Sequence, residues 1–290
     1  MATTSKAIGE AKQVRANGTQ IHYVEAGQGP PLLLLHAGPV STNPIWNGHP
    51  FAYVSHMGVL AERFRVIAPD TRGSGRTRHD GGAVTFDQLA DDVLALADAL
   101  DLAAPALCGF SEGATTATIA ALRSPRRFRA VVNHAGYDLF NPAAPSFAMM
   151  RQMFGGSAAA TRTDPDAVER AFSASPDMRA TFEIIKMDQD AGGGPGYWKT
   201  FLSLAFERAT RSPGYTFDDL ARISAPTLIL TGDRDHFCST EEAVTAFRRL
   251  PRGELAVLPA VGHYITPLAI DLAADFIRRH VEDPINQGAP

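Results

Sequence analysis

Three residue types able to do acyl chemistry stand where short apolar runs end. Ser111 lies in Gly109-Phe110-Ser111-Glu112-Gly113, two aspartates lie in Gly232-Asp233-Arg234-Asp235, and His263 lies in Gly262-His263-Tyr264. A serine hydroxyl becomes a nucleophile when an imidazole takes its proton, and the imidazole in turn needs a carboxylate to orient it. Small residues two before and two after the serine permit a tight strand-to-helix turn that projects the hydroxyl above a sheet. The glycine pattern alone is a weak signal in a glycine-rich chain, so the flanking elements have to carry it.

Those elements are legible. The apolar runs Pro31–Leu35, Phe64–Ala68, Ala106–Phe110, Phe128–Asn133, Pro226–Thr231 and Glu254–Leu258 are each of strand length. Between them lie helical patterns. In Thr85–Leu100 the apolar residues Leu89, Val93, Leu96 and Leu100 alternate with Asp87, Asp91, Asp92 and Asp98, with Thr85 placed as the N-cap. Further helices are expected after Ser111 and over Thr240–Leu250 and Pro267–His280. Strands alternating with helices predict a mostly parallel sheet covered on both faces, and loops past the strand ends build its sites. A hairpin turning at Asn17-Gly18 within Gln13–Glu25 belongs at one edge.

The stretch 137–215 breaks this rhythm. It has helical patches, the run Gly192-Gly193-Gly194-Pro195-Gly196, and five of the seven methionines, and it reads as an inserted helical lid with a hinge near 192–196. The division is therefore core 1–136, lid 137–215 and core 216–290, with Asp283–Pro290 as a disordered tail.

Composition narrows the function. The chain has 290 residues, 45% hydrophobic, with net charge −4, which gives no electrostatic case for nucleic acid or anionic lipid. The basic cluster Arg123–Arg129 reads as a solvated helix end. There is no apolar leader in the N-terminal segment and no run of about 18 apolar residues, so no membrane span is expected. Two distant cysteines, Cys108 and Cys238, make no disulfide framework and suit a cytoplasmic setting; no metal-ligand spacing is present.

Taken together, NGTQIHYVEAG, PPLLLLHAGP, APDTRGSGRT, GFSEG, TGDRD and VGHY resemble the α/β-hydrolase fold superfamily, in its esterase and lactonase-like branch. The resemblance covers nearly the whole chain outside the lid, and the order Ser111, acid, His263 matches it. It implies Ser111 as nucleophile, His263 as base and Asp235 as orienting acid, in preference to Asp233 or Asp138. It also implies an oxyanion hole from the backbone N–H groups of Glu112 and Gly38. The chain departs from the family at Ala37, where His-Gly is usual.

The remaining residues carry bland and sharp readings side by side. The Glu112 carboxylate suits a helix N-terminus, and the sharper reading has it meet substrate or a protonated His263. His134 and His236 read as structural residues near the pocket. His36 reads first as shaping its loop by hydrogen bonding; with Trp46, Met149 and Met153 it is also a candidate pocket wall, and soft methionines suit an apolar group. The expected activity is cofactor-free hydrolysis of a carboxylic ester or lactone of a small apolar molecule. Serine in place of aspartate at the elbow argues against epoxide and haloalkane chemistry. The alternatives are a C–C bond (diketone) hydrolase, a proline-iminopeptidase-like aminopeptidase, or a non-hydrolytic oxygenase or receptor.

Overall fold

The computed structural model describes residues 9–79 and 81–281; the expected tail Asp283–Pro290 lies outside them. An eight-stranded sheet runs in the order β1-β2-β4-β3-β5-β6-β7-β8. Its strands are β1 Glu10–Ala16, β2 Thr19–Ala26, β3 Pro31–Leu35, β4 Arg65–Pro69, β5 Ala106–Phe110, β6 Val131–His134, β7 Thr227–Gly232 and β8 Gly253–Leu258. β1 and β2 form the edge hairpin, β2 meets β4 antiparallel, and all later pairs are parallel. Asn17 and Gly18 both take positive φ, 45° and 76°, as a two-residue hairpin turn requires.

The helices are α1 Met57–Ala61, α2 Phe86–Ala99, α3 Glu112–Arg123, α4 Ser146–Gly155, α5 Pro165–Phe172, α6 Pro176–Gly193, α7 Tyr197–Ala209, α8 Thr240–Arg249 and α9 Pro267–Val281. Thr85 caps α2 by accepting from the Gln88 N–H. Every residue of β5 and β6 is buried, because helices cover both faces. Two arginines of the basic cluster at the end of α3 pair with acids of α2: Arg123 bonds Asp87 and Asp91, and Arg127 bonds Asp98. No described helix is long and apolar enough to cross a membrane.

The register brings the site together. Leu35 pairs with Gly109, Phe110 with His134, His134 with Leu230, and Gly232 with Leu258. The carboxyl ends of these strands are level, so the loops that follow them meet.

Between β6 and β7 the chain runs through α4 to α7 without a strand among the described residues. Their packing centres on buried Phe147, Phe154, Val168, Phe182, Ile185, Phe201 and Phe206. Two buried polar residues of α6 tie them to the sheet loops. Asp188 accepts from Ser41 Oγ (2.8 Å) and the Trp46 indole N–H (2.7 Å), and Gln189 Oε1 accepts from the Gly75 N–H (3.0 Å). The glycine run at 192–196 is not one loose loop. Gly192 and Gly193 finish α6, and a Cβ on Gly192 would lie 1.5 Å from the Gly75 carbonyl oxygen. Gly194 and Gly196, at φ 93° and 82°, make the turn into α7.

Candidate active site

Ser111 sits between β5 and α3 with φ 55° and ψ −121°, a strained conformation for a non-glycine residue. The two flanking glycines explain how the turn closes. A Cβ on Gly109 would stand 2.2 Å from the Gly113 carbonyl oxygen, and one on Gly113 would stand 2.5 Å from those of Leu35 and His36. The turn is held by the Ser111 N–H donating to His134 O (2.9 Å) and the Thr115 N–H donating to Ser111 O (3.0 Å).

His263, on the loop after β8, reaches this turn. Its Nε2 lies 3.0 Å from Ser111 Oγ, and its Nδ1 lies 2.8 Å from Asp235 Oδ2. The other oxygen, Asp235 Oδ1, accepts from the backbone N–H of Phe237 (2.9 Å) and of Cys238 (3.0 Å). Burial alone would raise the Asp235 pKa; the His263 contact and the two N–H donors outweigh it, and the carboxyl lies below its ordinary value. The rings of Phe110 and Phe237 pack against His263 with centroids 4.9 and 4.8 Å away.

The other candidate acids stand elsewhere. Asp233 is exposed. Asp138 is buried just past β6; its Oδ1 accepts from the Cys238 thiol (3.4 Å), and its Oδ2 has no hydrogen-bond partner. Burial raises its pKa, against the lowering influence of Ser146, Cys238 and His263. Asp235, Cys238 and His263 are the one group of three metal-ligating side chains among the described residues. Two of them already bond each other, and burial lifts the Cys238 thiol well above the usual range, so the trio suits an ion poorly at neutral pH.

Two spaces adjoin His263, and one of them also borders Ser111. An inner cavity of about 100 Å³ is lined by Gly38, Ser111, Glu112, Asp138 and His263 with apolar walls from Phe51, Phe86, Met150, Met153, Phe154 and Phe237. An outer cleft of about 750 Å³ is lined by His49, Met149, Gln152, Met153, Phe172, Met178, His236 and His263, and Ser111 does not border it. Phe51, Met153, Phe237 and His263 line both.

The pocket expectations need correction at two residues. His36 is buried as a loop brace: the Thr71 N–H donates to its Nε2 (3.0 Å), so its Nδ1 carries the proton and meets Ala37 O at 2.7 Å. Trp46 is wholly buried, with its N–H turned to Asp188. Neither lines the inner cavity or the outer cleft. His134 is likewise a core residue, bonded to the Tyr53 hydroxyl (3.0 Å), and burial holds its pKa down at about 3. Met187 is 59% exposed and faces neither space.

Sequence reading passed over Arg208. It crosses from α7 to meet Glu112 with Nε–Oε2 at 2.8 Å and Nη2–Oε1 at 2.9 Å. Nothing in the sequence links residues 96 positions apart. The one available signal is an arginine in a mostly apolar helical stretch, Phe201–Ala209, in which Ser203 and Glu207 are the other polar residues.

Comparison with known proteins agrees with this architecture. Residues 30–267 match the family model for the alpha/beta hydrolase fold. The chain belongs to the α/β-hydrolase family. Among its relatives is 3-oxoadipate enol-lactonase 2 of Acinetobacter baylyi, 27% identical over 274 residues, covering 91% of this chain and 95% of that protein. An epoxide hydrolase of Caballeronia sordidicola is 36% identical over 133 residues, but this match spans only 44% of the chain and 38% of the relative. The meta-cleavage product hydrolase of Pseudomonas fluorescens IP01 superposes with a TM-score of 0.71 at 21% identity, over 92% of this α/β hydrolase and 97% of that chain. The family supports hydrolase activity for this chain.

Proposed function

We propose that this α/β hydrolase cleaves a carboxylic ester or lactone of a small apolar molecule through Ser111, His263 and Asp235. The carrying observation is the unbroken hydrogen-bond chain Ser111 Oγ to His263 Nε2 (3.0 Å) and His263 Nδ1 to Asp235 Oδ2 (2.8 Å). Ser111 Oγ attacks the carbonyl carbon as its proton passes to His263 Nε2. Asp235, held below its ordinary pKa, stabilises the imidazolium. The oxyanion is received by the backbone N–H groups of Gly38 and Glu112; both residues line the cavity with Ser111, and Glu112 opens α3, where leading N–H groups lack helical partners. Collapse expels the leaving oxygen, which takes the proton from His263. Water then attacks the acyl-enzyme, again through His263. These steps call on no cofactor.

The two spaces suggest the shape of the substrate. The acyl carbon must lie with Ser111 and the oxyanion donors, in the small inner cavity. The leaving group must meet His263, which also borders the larger outer cleft. A short apolar acyl group and a bulkier leaving group fit. We read 137–215 as a lid between the two core parts, since α4 contributes Met150, Met153 and Phe154 to the cavity and α7 contributes Ala209. The buried free thiols of Cys108 and Cys238 suit a reducing compartment such as the cytoplasm.

Epoxide opening fits this site poorly. Attack of Ser111 on an epoxide would leave an alkyl ether, which has no carbonyl for water to attack. A C–C hydrolase would use the same three residues, so a substrate panel must separate the two.

The test is a fluorophosphonate probe, with intact mass and peptide mapping. Labelling at Ser111 that Ser111→Ala and His263→Ala both abolish supports the reading; a folded wild type left unlabelled by both a large and a small probe overturns it. Faster turnover of simple esters than of a vinylogous diketone then assigns the ester bond.

A further inference from the structure

Glu112 places a carboxylate where an acyl-transfer site tolerates it least. It follows Ser111 directly, its Oε2 lies 3.2 Å from where a Cβ on Gly38 would stand, and it lines the inner cavity. Those are the two residues whose N–H groups would receive the oxyanion. A bare carboxylate beside them would oppose the charge that develops there, strongly so away from water. Arg208 answers it with a two-pronged contact, and the side chains are 2% and 9% exposed for Arg208 and Glu112. Stability alone does not account for such a pair, because apolar residues of similar volume commonly serve a buried position as well or better.

We propose that Arg208 is a positioning residue: by neutralising Glu112 it lets the oxyanion site beside Ser111 hold negative charge, and it makes turnover conditional on α7 being seated against α3. The inference rests on the reading of Ser111 as nucleophile. It gives the inserted helices a chemical role apart from covering the cavity. With α7 in place the charge on Glu112 is cancelled where the site is dry and the carboxylate would otherwise oppose the oxyanion most.

The experiment measures kcat on p-nitrophenyl butyrate, the rate of fluorophosphonate labelling at Ser111, and the melting temperature. The proteins are wild type, Arg208→Lys, Arg208→Met and the double variant Arg208→Met/Glu112→Gln. Arg208→Met should lose about 100-fold in both rates, in line with removal of one oxyanion-site interaction, with Arg208→Lys between it and wild type. The double variant, with no carboxylate left to neutralise, should recover to within about tenfold of wild type. A purely structural role would instead make the rates follow the melting temperatures in every variant, the double variant included. Equal rates for wild type and Arg208→Met, or a folded double variant as slow as Arg208→Met, overturn the proposal. If Arg208→Met does not fold, the double variant carries the test, and a loss beyond about tenfold overturns it. A wild type that the probe does not label overturns the nucleophile reading itself, and this inference with it.

Discussion

The loop after β6 and the loop after β7 each carry a buried aspartate near the histidine, and the two have opposite fates. Asp138 lies four residues past His134 and Asp235 three past Gly232. Cys238 donates to both, through its thiol to Asp138 and its backbone N–H to Asp235. Asp235 adds a second N–H and the His263 ring, and its pKa falls despite burial. Asp138 has one oxygen without a partner, and burial pushes its pKa up. Neither residue type nor place in the fold separates them. The number of donors that meet the charged form does.

The comparison breaks most visibly at Asp235. Asp235→Asn should cost about 10⁴-fold in kcat by upsetting the tautomer of His263, measured as steady-state ester hydrolysis. Asp138→Asn should cost less than about tenfold in the same assay, because the His263 ring turns to Asp235. Equal losses at the two positions would mean that His263 draws on both carboxylates.

Their stability contributions should run in opposite directions with pH. For Asp235, folded pKa below unfolded, the contribution is present above the unfolded value near 4 and is lost as pH falls through the folded one. For Asp138, folded pKa above unfolded, the folded state binds the extra proton, so stability falls as pH rises past the unfolded value. Replacing Asp138 by Asn, which cannot ionise, should therefore raise the melting temperature relative to wild type more at pH 7 than at pH 4. Thermal melts across that range check the sign. The smallest effect belongs to exposed Asp233: Asp233→Asn should change stability by no more than about 0.5 kcal/mol and kcat by less than about twofold.

What the sequence disclosed follows what local chemistry can encode. Asn17-Gly18, the apolar run of β3 and the glycines around Ser111 each declare themselves within a few residues, because the constraint is local to the backbone. The positions of Asp235 and His263 past strand ends could be read for the same reason. The partners of Trp46 could not. Its N–H meets Asp188, 142 residues away, and an aromatic residue near a presumed pocket looks the same in sequence whether it lines the space or braces the wall behind it. For His36 the loop-shaping reading holds and the pocket-wall reading fails, as its two ring bonds go to backbone groups. The glycines at 192–196 suggest slack, yet Gly192 is there because α6 presses against Gly75. Long-range contacts of the inserted helices, with Arg208 foremost, leave no local trace.

The conformation of Ser111 also limits how the protein can drift. Its φ of 55° is open to a small unbranched side chain and closed, in practice, to a β-branched one. Threonine, one methyl group larger and carrying the same hydroxyl, is thus barred by the backbone before its chemistry is ever tried. Mutational routes that change the nucleophile must pass through residues that bear this turn, with Gly109 and Gly113 fixed on either side.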